Sequence, residues 1–88
     1  MNKKELEIVR NTAMVLFENN DLESIEKNFK KIKYGNEFIE LITENLKESN
    51  NIILSLEDLN LIKKKWHSFK YFILYEIHLQ AKKQGKVE

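Results

Sequence analysis

The sequence predicts an all-α fold, a small three- to four-helix bundle with a long C-terminal helix, and three observations carry that prediction. Apolar residues recur at +3 and +4 spacing along most of the chain. The 88 residues contain no proline and only two glycines, Gly35 and Gly85, whereas a small β-protein needs frequent turn signals. Hydrophobic residues make up 42% and charged residues 33%, a balance that favours a packed globule over disorder. The length suits a single domain spanning residues 1–88.

The first helix is expected from about Lys3 to Asn19, with Leu6, Val9, Ala13, Leu16 and Phe17 on one face. Ile8 and Val15 sit seven residues apart on a different face, so this helix is apolar on more than one side. Asn19, Asn20 and Asp21 break it, and Asp21 is a good N-cap for the next segment. The second helix, Leu22 to Lys33, places Leu22, Ile25, Phe29 and Ile32 on one side and Lys27, Lys30 and Lys31 opposite. Tyr34-Gly35-Asn36 ends it, with Gly35 expected in the left-handed conformation of a C-terminal cap. The third helix, about Glu37 to Ser49, is expected to bury Phe38, Ile39, Ile42 and Leu46. Its outer face carries Glu37, Glu40, Glu44 and Glu48. Asn50-Asn51 closes it, and Ile52-Ile53-Leu54 reads as a short extended link.

The last helix has the clearest start. Ser55 and Asp58 form a capping-box-like pair, and Leu54 and Leu59 stand where a hydrophobic staple would place them. No breaker follows before about Lys83, which implies one helix of roughly 40 Å at 1.5 Å per residue. Leu59, Ile62, Trp66, Phe69, Ile73 and Ile77 form its inward stripe. The stretch Tyr71–Leu79 is rich in aromatic and β-branched residues, as strands are. The unbroken helical phase from Leu59 decides for helix.

Several function classes receive little support. The chain has no cysteine, so disulfides and thiol chemistry are excluded. His67 and His78 are roughly 16 Å apart along a helix axis and cannot share one metal ion. There is no HExxH, glycine-rich phosphate loop or nucleophile elbow. The glutamate stripe of the third helix points outward, whereas a di-iron site needs inward Glu and Glu-x-x-His pairs. No enzyme, metal or cofactor is therefore expected. Helices two and three resemble helix-turn-helix in layout only, because a recognition helix needs Lys or Arg and helix three offers Lys47 against four glutamates. Lys63, Lys64 and Lys65 fan around their helix by about 100° each and form no phosphate track. Charge is nearly balanced, 15 basic against 14 acidic residues, so nucleic acid is not an expected partner. The N-terminus lacks a secretory h-region and no apolar run spans a bilayer, giving an expectation of a cytoplasmic protein.

The remaining signal is an excess of apolar surface. Tyr71–Leu79 is apolar or aromatic nearly all round the helix with one charge, Glu76, so it is either buried on every side or touches something else. Leu61, Phe72 and Leu79 lie opposite the core stripe. His67, Tyr71, Leu74, Tyr75 and His78 lie on a third face, and tyrosine, phenylalanine and histidine are typical lining residues of a protein–protein contact. Ile8 and Val15 on the first helix are candidates for the same surface. Trp66 reads as core.

Two families are similar in part. Ser55-Leu56-Glu57-Asp58-Leu59, followed by Trp66, Ser68 and the Lys86-Val87-Glu88 end, resembles the C-terminal part of epsilon-type antitoxins of epsilon/zeta toxin–antitoxin systems. Those are small bacterial helical proteins that neutralise zeta toxins, P-loop kinases acting on a cell-wall nucleotide sugar. The resemblance implies an inhibitor that occludes a partner's nucleotide site and does no chemistry itself. It covers the C-terminal third of the chain, and no toxin-blocking residue is carried over. Tyr34 leading into Phe38, Ile39, Ile42 and Leu46, then Ser55-x-x-Asp58-Leu59, is similar in layout to pediocin-like bacteriocin immunity proteins. Those are small cytosolic bundles that recognise a bacteriocin bound to its membrane receptor.

The expected function is thus neutralisation of a toxic protein partner by stoichiometric contact, antitoxin-like, with bacteriocin immunity as the alternative. A self-assembling structural or mobile-element protein, pairing through its C-terminal helix, is the expectation from another class.

Overall fold

Side-chain caps set the helix starts. Asn2 Oδ1 accepts from the Glu5 amide at 2.9 Å while Glu5 Oε1 accepts from the Asn2 amide at 3.3 Å, a reciprocal pair that satisfies two donors the helix cannot. Helix α1 then runs Lys3–Asn19. Asp21 accepts from the Ser24 amide at 2.8 Å and opens α2, Leu22–Lys31. Glu37 accepts from the amides of Lys33 and Tyr34 at 3.0 and 3.1 Å at the head of α3, Gly35–Lys47. Ser55 and Asp58 exchange bonds of 3.0 and 3.2 Å at the head of α4, Leu56–Lys64, and α5, Trp66–Lys83, follows. The computed structural model describes residues 2–49 and 54–85. The expected link at Ile52 and Ile53, and the end of helix three at Asn50-Asn51, lie outside them.

Among the described residues the fold is all-helical, with five helices rather than three or four. The difference arises at Lys65, where the backbone turns to φ −115°, ψ 35°. The sequence has neither proline nor glycine here. Tertiary contacts flank the turn instead: Lys65 Nζ reaches Glu5 Oε2 at 3.2 Å, and the Trp66 ring lies against Gly35. Lys65 N still bonds the Leu61 carbonyl and its own carbonyl accepts from Phe69 N. The inward phase is therefore kept across the turn, and Ile62, Phe69, Ile73 and Ile77 are all buried.

Gly35 does not take the left-handed conformation expected of it. Among the described residues the positive-φ glycine is Gly85, just after α5. Gly35 is instead the first residue of α3, and a Cβ there would stand 3.1 Å from both the Lys63 carbonyl oxygen and Trp66 Cδ1. Its missing side chain lets α3 approach the α4–α5 turn.

The core joins Ile25, Phe29, Phe38, Ile42, Phe69 and Ile73 with buried residues of α1. Phe29 and Phe38 meet edge to face, centroids 5.4 Å apart. Each such side chain contributes about 1.5–3 kcal/mol by leaving water. Helix α1 packs on α5, α3 and α2, and this corrects the expected division of its faces. Ile8 and Val15, expected on a contact surface, are buried at 3% and 0% exposure, while Leu6, expected in the core, is exposed. A helix covered by three neighbours buries a broad arc, and here that arc is rotated away from Leu6. At the far end of α1, Asn20 Nδ2 donates to Asn45 Oδ1 at 2.8 Å and Asn19 Nδ2 to the Asn45 carbonyl at 3.1 Å, tying α1 to α3.

Candidate functional site

Helices α1 and α5 lie side by side with the same chain direction. Glu5 meets Lys65 near the start of both, and Arg10 Nε stands 3.9 Å from Glu76 Oε1 further along. The buried faces are complete: Ile73, Ile77 and Ala81 on α5, and Val9, Ala13 and Leu16 on α1. What remains apolar therefore faces outward. Tyr71 is 72% exposed and Tyr75 58%, while Leu6, Met14, Phe72 and Leu79 lie between 38% and 47%.

These six side chains form one continuous surface. A groove of about 410 Å³ runs between the helices, with Leu6 on one wall and Tyr71, Phe72, Tyr75 and Leu79 on the other. It continues past Arg10, Glu76 and Leu79 into a second depression of about 480 Å³ bordered by Met14 and Lys83. The groove is open to solvent along its length. Its aromatic end is stiffened by an edge-to-face contact between Tyr71 and Phe72, centroids 5.8 Å apart. The Arg10–Glu76 pair crosses the middle, so the one acidic group within Tyr71–Leu79 is neutralised from α1.

The seven residues singled out by sequence separate into three groups. Tyr71 and Tyr75 stand on the exposed surface. His67 and His78 are also exposed but stand outside this groove, and Leu74 is half-buried. The His67 ring is stacked on Trp66 with centroids 3.8 Å apart, Leu74 packs half-buried against the core, and His78 Nε2 lies 3.7 Å from Glu26 Oε1 on α2. Ile8 and Val15 belong to the core. Leu6 and Met14 were missed as surface residues, yet with Arg10 they form an i, i+4, i+8 row along α1 that marks the groove's other wall.

Other constellations are accounted for by local bonding. Of the basic cluster, Lys65 pairs with Glu5, and Lys70 donates to the Ile32 carbonyl at 3.3 Å and sits over the Trp66 ring at 5.6 Å. The Glu37, Glu40 and Glu44 stripe is exposed on α3 and borders a shallow depression of about 240 Å³. Among the described residues no three histidine, aspartate or glutamate side chains converge as a metal-binding group. No helix among them is long and apolar enough to cross a membrane.

Two acidic groups are held below the ordinary carboxylate range. For Glu5 the first cause is the bond from the Asn2 amide and the second the bond from Lys65. For Asp21 it is the pair of bonds from Ser24, backbone first. Both are caps that fasten helix ends, so their electrostatics serve the fold.

Comparison of the chain with protein-family models, with curated proteins and with solved structures finds no match in any of the three.

Proposed function

We propose that this chain is a non-enzymatic helical binding protein that neutralises a toxic protein partner by stoichiometric contact, in the manner of an antitoxin. The contact surface is the α1/α5 groove. The observation that carries the reading is the outward set of Tyr71, Phe72 and Tyr75 on a helix whose opposite face already forms a complete core. Exposed tyrosine is costly to solubility when it serves nothing, and it is the residue type enriched at binding hot spots. A rigid two-helix wall with an aromatic end also presents its contacts with little ordering left to do, which favours tight binding.

Neutralisation by occlusion asks for nothing more than this: a stiff surface, a specific shape and a stable fold behind it. The same requirements hold for a bacteriocin immunity protein, the runner-up, in which the partner is a membrane receptor occupied by its bacteriocin. In both cases the chain works in the bacterial cytoplasm.

Affinity capture from lysate of the source cell, with soluble and membrane fractions kept separate, tests the reading. A stoichiometric soluble P-loop kinase supports the antitoxin assignment. A membrane transporter captured only in the presence of bacteriocin supports immunity. Recovery of the bait alone counts against both.

A further inference from the structure

We infer that the meeting point of the α2–α3 loop and the α4–α5 turn binds single-stranded nucleic acid, with phosphates on Lys33, Lys63 and Lys70 and bases stacked on Tyr34 and His67. The site shares no residue with the lining of the α1/α5 groove, so it stands apart from the neutraliser reading.

Two contacts bracket one dipeptide and fix its place. Lys70 Nζ donates to the Ile32 carbonyl at 3.3 Å, and Gly35 lies against the Trp66 indole. Lys33 and Tyr34 stand between those anchors, beside α5, and both are exposed. The Lys63 carbonyl oxygen also meets Gly35. Lys63 precedes Trp66 by three residues and His67 by four, the spacing that gathers side chains on one helix face, and the helical phase is kept across the turn. The loop thus adds a lysine and a tyrosine to a run of lysines that forms no phosphate track by itself.

Charge and ring geometry then act together. Among the described residues none of Lys33, Lys63 and Lys70 pairs with a carboxylate. Lys70 gives one donor to Ile32, and an ammonium has three. The neighbouring acid, Glu37, accepts from the amides of Lys33 and Tyr34 at 3.0 and 3.1 Å, which leaves three cations against one anion. In a chain of net charge +1 that is a local excess able to draw a polyanion. Tyr34 is 70% exposed. The exposed His67 ring lies on Trp66 with centroids 3.8 Å apart and planes 30° from parallel. Trp66 is itself held by Gly35 and by the Lys70 ammonium, 5.6 Å from its centroid. The imidazole is therefore fixed before anything stacks on it, and little ordering remains to be done on binding.

Lysines alone would suit any acidic partner. Flat rings set among them suit a strand in which charged phosphates alternate with flat bases, whereas an acidic peptide would use the lysines and leave the rings idle. A duplex has its base faces already stacked, so the rings call for a single strand. Binding of this kind is tolerant of sequence, modest in affinity and strongly dependent on salt.

Fluorescence anisotropy of a labelled oligothymidylate, titrated with the full chain at several salt concentrations, provides the test. Trp66, the single tryptophan, gives a second signal from beside the site. Wild type is expected to bind, with log K falling against log salt at a slope of about −2, three lysines at about 0.7 each. Lys63→Glu, at an exposed position, should weaken binding by about 5-fold or more and flatten that slope. Tyr34→Ala should weaken it by about 5-fold or more with the slope kept, while Tyr34→Phe, which retains the ring, binds as wild type does. The α3 cap uses only the backbone amide of Tyr34, so both variants keep the wild-type circular dichroism. Tyr75→Glu, on the α1/α5 groove, should leave oligothymidylate binding unchanged. Absence of binding by the folded wild type at low salt overturns the inference. So does inorganic polyphosphate that binds as tightly as oligothymidylate, together with a Tyr34→Ala variant that loses nothing, since the patch would then be a general anion surface. Loss of binding in folded Tyr75→Glu overturns the placement of the site. A failure of the partner titration with Tyr75 variants, by contrast, bears on the neutraliser reading alone.

Discussion

Gly35 and Trp66 are packed so closely that a single methyl group at Gly35 would stand 3.1 Å from Cδ1 of the indole. The Lys63 carbonyl oxygen lies at the same distance, and as backbone in the last turn of α4 it has little room to yield. Alanine in place of glycine ordinarily gains up to about 1 kcal/mol in a helix interior and less at its first residue. Overpacking costs about 1–3 kcal/mol, so the steric term wins. Gly35→Ala is expected to lower stability by about 1 kcal/mol and Gly35→Val by more, read from urea midpoints. Adding Trp66→Leu should reduce the cost of Gly35→Ala, because the two positions share a contact.

Thr12 offers the opposite sign. Its side chain is fully buried on α1, and its hydroxyl finds no hydrogen-bond partner among the described residues. Valine has the same shape without the polar atom. Removing an unsatisfied buried group recovers about 1 kcal/mol or more. Thr12→Val should therefore raise the thermal midpoint, by several degrees for a domain of this size.

Glu5 makes stability depend on pH in the acid range. Its carboxyl is held below the ordinary value by the Asn2 amide first and by Lys65 second. A carboxylate with a depressed folded pKa stabilises fully above its unfolded value and loses that contribution as pH falls through the folded one. Wild type should lose stability progressively as pH drops below the ordinary carboxylate range, in part through Asp21, which is depressed by its bonds from Ser24. Glu5→Gln should be less stable than wild type at neutral pH and show a flatter acid limb, the two curves converging at low pH. Urea midpoints measured from pH 7 to pH 3 check both features.

Asn45 is the polar keystone between α1 and α3. Its Nδ2 donates to the Leu41 carbonyl at 2.8 Å while its Oδ1 accepts from Asn20 at 2.8 Å. Replacing it with alanine removes this bond, leaving Asn20 Nδ2 its other bond to the Leu16 carbonyl at 2.9 Å, and opens space, at a cost of about 1 kcal/mol. Asn45→Asp keeps the acceptor but sets a carboxylate oxygen against the Leu41 carbonyl. That variant should be destabilised at neutral pH and regain part of its stability on acidification, when the carboxyl can donate again.

Local signals in the sequence were legible in detail. The bounds of α1, the Asp21 cap and the Ser55–Asp58 capping box follow from residues within one turn of each other, and the structure shows each of them. The all-helical fold class was legible for the same reason. What sequence could not fix were choices made between elements. Periodicity shows that α1 is apolar on two sides, but only its neighbours decide that Ile8 and Val15 go inward and Leu6 outward. The turn at Lys65 lies in a run with good helix formers, and the contacts flanking it come from Glu5 and Gly35, 60 and 31 residues away. Gly35 announced an unusual backbone, whereas its purpose is close approach. The candidate surface was half legible: Tyr71 and Tyr75 stood out as exposed aromatics on one helix, but the wall they share with Leu6 and Met14 comes from a helix about 65 residues earlier in the chain.

The most direct measurement is a calorimetric titration of the captured partner with wild type and with Tyr71→Glu/Tyr75→Glu. Leu74→Glu serves as the contrast, since Leu74 packs against the core and its replacement should unfold the domain. The double variant is expected to keep its helical circular dichroism and thermal unfolding, while binding weakens by about 100-fold or more, two hot-spot side chains being lost. A partner that binds the folded double variant as tightly as wild type would contradict the assignment of the α1/α5 face as the surface through which this protein acts.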